Sequence, residues 1–122
     1  MQEFSGRTAV ITGGASGIGL GMARSFAKRG MHLVLADLDE ELLRAAEQEF
    51  SGAGVSVVSQ VCDASKLEDV ERLAEAAMDR FGAVHVVCSN AGVGLPTSAL
   101  NFKLSDWEWI INVDLWGPIY AV

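Results

Sequence analysis

The chain has 122 residues, half of them hydrophobic and a fifth charged, with a formal net charge of −7. That composition excludes a disordered segment and allows one domain at most, able to bury roughly two thirds of its unfolded surface if it packs as a unit. The acidic balance argues against nucleic acid and anionic lipid, whose affinity rests on Lys and Arg replacing counterions.

Four short apolar runs recur without proline: TAVIT at 8–12, HLVLA at 32–36, VSVVSQ at 55–60 and AVHVVCS at 83–89. The first, second and fourth read as strands buried on both faces, and the partly alternating third reads as an edge strand. Helical spacing fills the intervals. It is clearest after Asp63, where Leu67, Val70, Ala74, Ala77, Met78 and Phe81 fall on one stripe. Ser65 with Glu68 predicts a capping box for that helix, and Ser105 with Glu108 predicts another, opening a helix that runs to Val122. Gly30 and Gly82 stand where helices close ahead of strands. The alternation predicts an α/β fold, a doubly wound parallel sheet with right-handed crossovers.

Cys62 and Cys88 are far apart and belong to no CxxC or Cys/His cluster, which suits reduced core thiols in the cytoplasm. His32 and His85, at strand starts, have no ligand-spaced partner, so no metal site is expected. No leader-like start and no membrane-length apolar run is present, which predicts a soluble, cytoplasmic protein with no membrane partner. Trp107 continues an apolar helical stripe and is expected in the core, while Trp109 and Trp116 point elsewhere and suit an oligomer contact.

The stretch TGGASGIG, Thr12 to Gly19, lies between the first strand and the first helix. Gly13 permits a tight turn, and Gly17 and Gly19 remove side chains where the helix start would meet a pyrophosphate and the neighbouring strand. No Lys-Ser or Lys-Thr follows, which excludes a P-loop hydrolase. Asp37, at the end of the second strand, can accept hydrogen bonds from both ribose hydroxyls of an adenosine and would repel a 2′-phosphate. Neither Ser16 nor Leu38 offers a basic group to that phosphate. Asp39 is the better cap for the helix that follows.

With these residues in view, the chain resembles the short-chain dehydrogenases/reductases along essentially its whole length. Its glycines follow that family's T-G-x-x-x-G-x-G, Asp63 in CDA matches the Asp after the third strand that holds the adenine amine, and SNAG matches N-N-A-G except at Ser89. The resemblance implies a Rossmann-type sheet and an NAD-binding surface made by Gly13, Ser16, Gly17, Ile18, Gly19, Asp37, Leu38, Cys62, Asp63, Asn90, Ala91 and Gly92. Asn90 would tie neighbouring strands together beside the cofactor. The implied reaction is hydride transfer between NAD, less readily NADP, and a small alcohol or ketone, in a homodimer or homotetramer.

In the family a Tyr acts as acid or base, a Lys lowers its pKa and a Ser orients the substrate. These would follow a fifth strand beyond Val122, so the resemblance predicts a single domain, 1–122, incomplete at its C-terminal end. The one tyrosine, Tyr120, has no Lys four residues on and reads as an ordinary helix residue. The family's catalytic Asn aligns with Asp114 in INVDLWGPI, two residues beyond Asn112. Its backbone carbonyl holds a water leading to the catalytic Lys, a role that a change of side chain leaves intact. Pro118 has no N–H for the carbonyl of Asp114, which predicts a kink there. Asp114 also falls on the stripe of Trp107, Ile111, Leu115, Ile119 and Val122, which predicts a largely buried side chain. Two other classes fit parts of the pattern: a dinucleotide-binding module without catalysis, and a methyltransferase with a similar sheet. The latter would leave SNAG unexplained.

Overall fold

A computed structural model of the chain describes residues 3–122. Strand and helix alternate as β1 (Thr8–Thr12), α1 (Gly17–Lys28), β2 (His32–Asp37), α2 (Glu40–Gly52), β3 (Val57–Val61), α3 (Leu67–Phe81) and β4 (Val86–Cys88). A 3-10 turn at Ala99–Asn101 then leads to α4 (Leu104–Ile111), a π-helical turn (Asn112–Trp116) and α5 (Gly117–Ala121). The strands form one parallel sheet in the order β3-β2-β1-β4. The predicted doubly wound Rossmann-type α/β fold is therefore present, with β3 at an edge as expected.

Period-two alternation divides the core between the two faces of the sheet. Ala9, Ile11, Leu33 and Leu35 point toward α1 and α2, meeting Ala23, Leu43, Ala46 and Phe50. Val10, Val34 and Ala36 point the other way, toward Leu73 and Ala77 of α3. Every residue of β1 is buried, and so are the four central residues of β2. β4 is different: it pairs over three residues only and none of them is buried, so the reading of 83–89 as a doubly buried strand is corrected. Among the described residues β4 is an edge of the sheet, with no strand paired on its outer side.

Several local readings also change. The α3 stripe is only half right, because Leu73 and Ala77 are its buried residues while Leu67, Ala74 and Met78 are exposed. Ser65 does not cap α3. Its N–H and hydroxyl both donate to Asp63 Oδ1, at 3.0 and 2.6 Å, so the nearer carboxylate has captured the capping group. Nor does Ser105 cap α4, which begins one residue ahead of it, with the Asp106 carboxylate accepting from the Lys103 N–H at 2.8 Å. Asp39 caps α2 through the Leu42 N–H at 3.0 Å, and Gly30 and Gly82 follow α1 and α3 as read.

The last helix is not one straight rod. Pro118 cannot donate to the carbonyl four residues back, and the chain widens to a π turn in which the Gly117 N–H reaches Asn112 O. The face turned inward carries Val113 and Gly117, both buried, with Gly117 against the Ala64 carbonyl. Trp107, Ile111, Leu115, Ile119 and Val122 lie outward instead, so the placing of Trp107 in the core is corrected: it is 43% exposed. Asp114 is exposed, not buried.

Candidate functional site

At the C-terminal ends of the strands, where the order reverses beside β1, a cleft of about 310 Å³ opens. Its walls come from four connections: the glycine loop after β1, the end of β2, the turn after β3 and the segment after β4. Gly13, Ser16, Asp37, Leu38, Cys62, Asp63, Asn90, Ala91 and Gly92 line it, together with Thr12, Ala36, Ala64, Val93 and Val113. Nine of the sequence-predicted residues thus meet in one cleft.

The other three shape it from the side. Gly17 opens α1 at φ +54 and Ile18 is 77% exposed beside it. Gly19 faces inward: a Cβ there would lie 2.0 Å from Gly13 O and 2.7 Å from Asn90 Nδ2. Only a residue without a side chain lets α1 approach the loop that closely.

The loop is tied to β2 and β4. The Gly14 N–H donates to Ala36 O at 3.0 Å, and the Ala15 N–H donates to Asp37 Oδ2 at 3.2 Å. On the other side the Thr12 hydroxyl accepts from the Asn90 and Ala91 N–H groups at 3.0 and 3.1 Å. The Asn90 side chain donates to the carbonyls of Thr12 and Gly13 at 3.1 and 3.2 Å, bridging β1 to the segment after β4.

The cleft holds two carboxylates, Asp37 and Asp63, and its lining includes no Lys, Arg or His. Attraction for a phosphate must come from main-chain N–H groups. Those of the first turn of α1 have no helical partner, the helix dipole adds positive potential, and the Ser16 hydroxyl makes no cap bond. Each Asp37 oxygen already accepts a main-chain bond, from Ala15 and from Asp39, which fixes the carboxylate while leaving lone pairs for a ligand. Burial, with Asp69 and Asp63 nearby, pushes the Cys62 thiol up to about 11, and burial also raises Cys88. Both are free thiols rather than thiolates near neutrality.

Asp114 stands just behind the wall. Its Oδ1 accepts from the Val93 N–H at 2.8 Å and lies 3.5 Å from where a Cβ on Gly92 would be. That places Asp114, and not Asn112, against the segment after SNAG. Val93 and Val113 were missed in the sequence although each adjoins a residue that was named. Nothing in a lone valine marks it as a wall.

A family model described as short chain dehydrogenase matches residues 7–122. Among relatives, the 1-deoxy-11-beta-hydroxypentalenate dehydrogenase of Streptomyces exfoliatus is 45% identical over 115 residues, covering 93% of this chain and 42% of that protein. A short-chain dehydrogenase/reductase from Burkholderia phymatum, solved in complex with NAD, superposes with a TM-score of 0.97 at 40% identity, covering all of this chain and 43% of that one. A metagenomic short-chain oxidoreductase in complex with NADP superposes at 0.88 with 35% identity, covering 96% and 53%. The chain thus spans about half the length, or less, of the proteins it matches. Among the described residues no helix is long and apolar enough to cross a membrane. With a family model running from the start of the glycine-loop strand to Val122, and the cleft built from the same segments, the chain belongs to the short-chain dehydrogenase family.

Proposed function

We propose that this chain forms the NAD-binding part of an oxidoreductase that moves a hydride between the nicotinamide and a small alcohol or ketone. The observation that carries the choice of cofactor is the Asp37 carboxylate, held at the lip of a cleft whose lining has no cation. A 2′-phosphate would meet that charge with nothing to offset it, whereas ribose hydroxyls can donate to it. The NAD-bound and NADP-bound relatives leave both cofactors open to the family, so the choice between them falls to this residue.

The residues fit a dinucleotide. The space in front of Gly17 is open, Gly13 and Gly19 let the loop, α1 and the Asn90 amide pack closely together, the first-turn N–H groups of α1 suit a pyrophosphate, and Asp63 and Leu38 flank the place for an adenine. NAD would supply the hydride acceptor. The chain itself orients the ribose through Asp37, binds phosphate through main-chain N–H groups and keeps β4 in register through Asn90. Asp114 takes the place of the family's catalytic Asn, its carbonyl serving as one link of a proton relay. A cytoplasmic homodimer or homotetramer belongs to the same reading, supported by the outward Trp109 and Trp116 on a helix with much exposed apolar surface.

Calorimetric titration tests the assignment. NAD should bind at least about tenfold more tightly than NADP, a difference of about 1.4 kcal/mol, and Asp37→Ala should narrow the gap. Equal affinities in the unmodified protein would remove Asp37 from this role.

A further inference from the structure

Both main-chain polar groups of Thr8, the first residue of β1, are taken by one residue ahead of β4. The His85 N–H donates to Thr8 O at 3.0 Å, and the Thr8 N–H donates to Nδ1 of the His85 ring, also at 3.0 Å. A side-chain nitrogen here does what a main-chain carbonyl does in an ordinary ladder. Thr8 is 1% exposed, so water does not replace this acceptor. An imidazole nitrogen accepts only while it carries no proton, which assigns the ring hydrogen to Nε2.

The clasp matters because β4 is short and only partly covered, with Val86 and Cys88 packed against the core but none of its three residues fully buried. Its ladder with β1 runs over three residues, and its far end is held by the bonds of Thr12 and Asn90. In a strand this short the bonds at its two ends are a large share of what fixes its register.

We propose that His85 is a protonation-sensitive clasp on β4: the neutral ring completes the pairing with β1, and acid opens it by placing a proton on Nδ1. Thr8 N–H and a protonated Nδ1 would then face each other as two donors. The folded state uses the neutral ring, so the clasp is present on the alkaline side of the histidine range and is lost as the pH falls. Titratable and charged groups at this end of the sheet include Arg7 ahead of Thr8, Lys28 and Arg29 at the end of α1, His32 at the start of β2, and Asp79 and Arg80 at the end of α3. Among the described residues none of them forms an ion pair with His85. His32 is engaged elsewhere, stacked on Phe81 at 4.7 Å. Segment 89–93 follows β4 directly, so loosening its start reaches one wall of the cleft.

Amide hydrogen exchange of the full chain by NMR, corrected for intrinsic rates, tests this at Thr8 with Val10 as the internal reference. Between pH 7.5 and 5.5 the protection of Thr8 should fall at least about tenfold relative to Val10. In His85→Asn, whose carbonyl oxygen sits as far along the side chain as Nδ1 and does not titrate, that fall should vanish. Should His85→Asn not fold, the nitrogen-15 shift of His85 Nδ1 at pH 7.5 in the unmodified chain decides, and it should be that of an unprotonated acceptor. A pH-independent Thr8, the same pH response in His85→Asn, or a protonated Nδ1 at pH 7.5 would each overturn the proposal.

Discussion

β2 and β4 flank the same strand, yet they are held to it by different forces. β2 pairs with β1 over five residues and buries its four central side chains between α1, α2 and α3. β4 pairs over three residues, buries none, and is gripped at its ends by polar side chains: the His85 ring at one and the Thr12 hydroxyl with the Asn90 amide at the other. On the β2 side, stability depends on apolar volume. On the β4 side, where Val86 and Cys88 are only partly buried against the core, it depends more on geometry, because a displaced hydrogen-bonding group loses its partner outright. The cleft sits where the two regimes meet, so its two walls should respond differently to substitution.

The largest effect should come at the seam itself. In Gly19→Ala the new methyl would lie on Gly13 O, a main-chain atom that cannot turn aside, and next to the Asn90 amide that grips β4. Overpacking of that kind costs about 1–3 kcal/mol where neighbours can yield, and more where they are backbone. Denaturant unfolding should show a loss of about 3 kcal/mol or more, and calorimetry should show NAD binding abolished. A variant of near-normal stability would mean that α1 has more freedom against the loop than the packing implies.

One truncation on each side separates the two regimes. Leu35→Ala removes a fully buried side chain between two helices, and the cavity should cost about 2–5 kcal/mol. Val87→Ala removes one that is 48% exposed, and the loss should stay below about 1 kcal/mol. Urea midpoints of the two variants are the check. Equal losses would show that β4 is covered in solution by something that packs on it as tightly as α1 and α2 pack on β2.

The same division explains what could be read from the sequence. β1 and β2 are legible because burial on both faces leaves a continuous apolar run, and β1 was placed to the residue. β4 was overextended to 83–89 because its flanks are equally apolar. Pairing stops at Val86 and Cys88 where His85 and Asn90 begin to bond through side chains, and hydrophobicity says nothing about that. Most of the cleft was legible through glycine spacing and single acidic positions, whose chemistry is local. The last helix was not, because it is apolar on two sides. Periodicity allows either Trp107-Ile111-Leu115-Ile119 or Ile110-Val113-Gly117-Ala121 to face inward, and the larger side chains drew the choice. The better signal was Gly117, whose lack of a side chain permits the close approach to Ala64.

The smallest effect, and the finest test of geometry over volume, concerns Asp114 and Pro118. The π turn at 112–116 sets the direction in which Asp114 points, and its Oδ1 then meets the Val93 N–H at 2.8 Å. An α-helical turn through the same residues would rotate Asp114 about the axis and withdraw it. Asp114→Asn keeps an acceptor at the same atom and gives up only the charge, on a group that solvent already reaches. Its cost should be about 0.5 kcal/mol or less, with Val93 exchange unchanged. Pro118→Ala restores an N–H for the carbonyl of Asp114 and relieves the cause of the π turn. It should leave global stability within about 1 kcal/mol, since proline removal and a restored bond act in opposite directions. The Val93 amide, however, should lose its protection in exchange measurements while Thr12 and Asn90 keep theirs. If Val93 stays protected in Pro118→Ala, Asp114 is aimed by the contact of Gly117 with Ala64 and not by the proline. If Val93 loses protection equally in Asp114→Asn, the bond depends on charge more than on direction, and the contrast drawn between the two walls fails at its most exposed point.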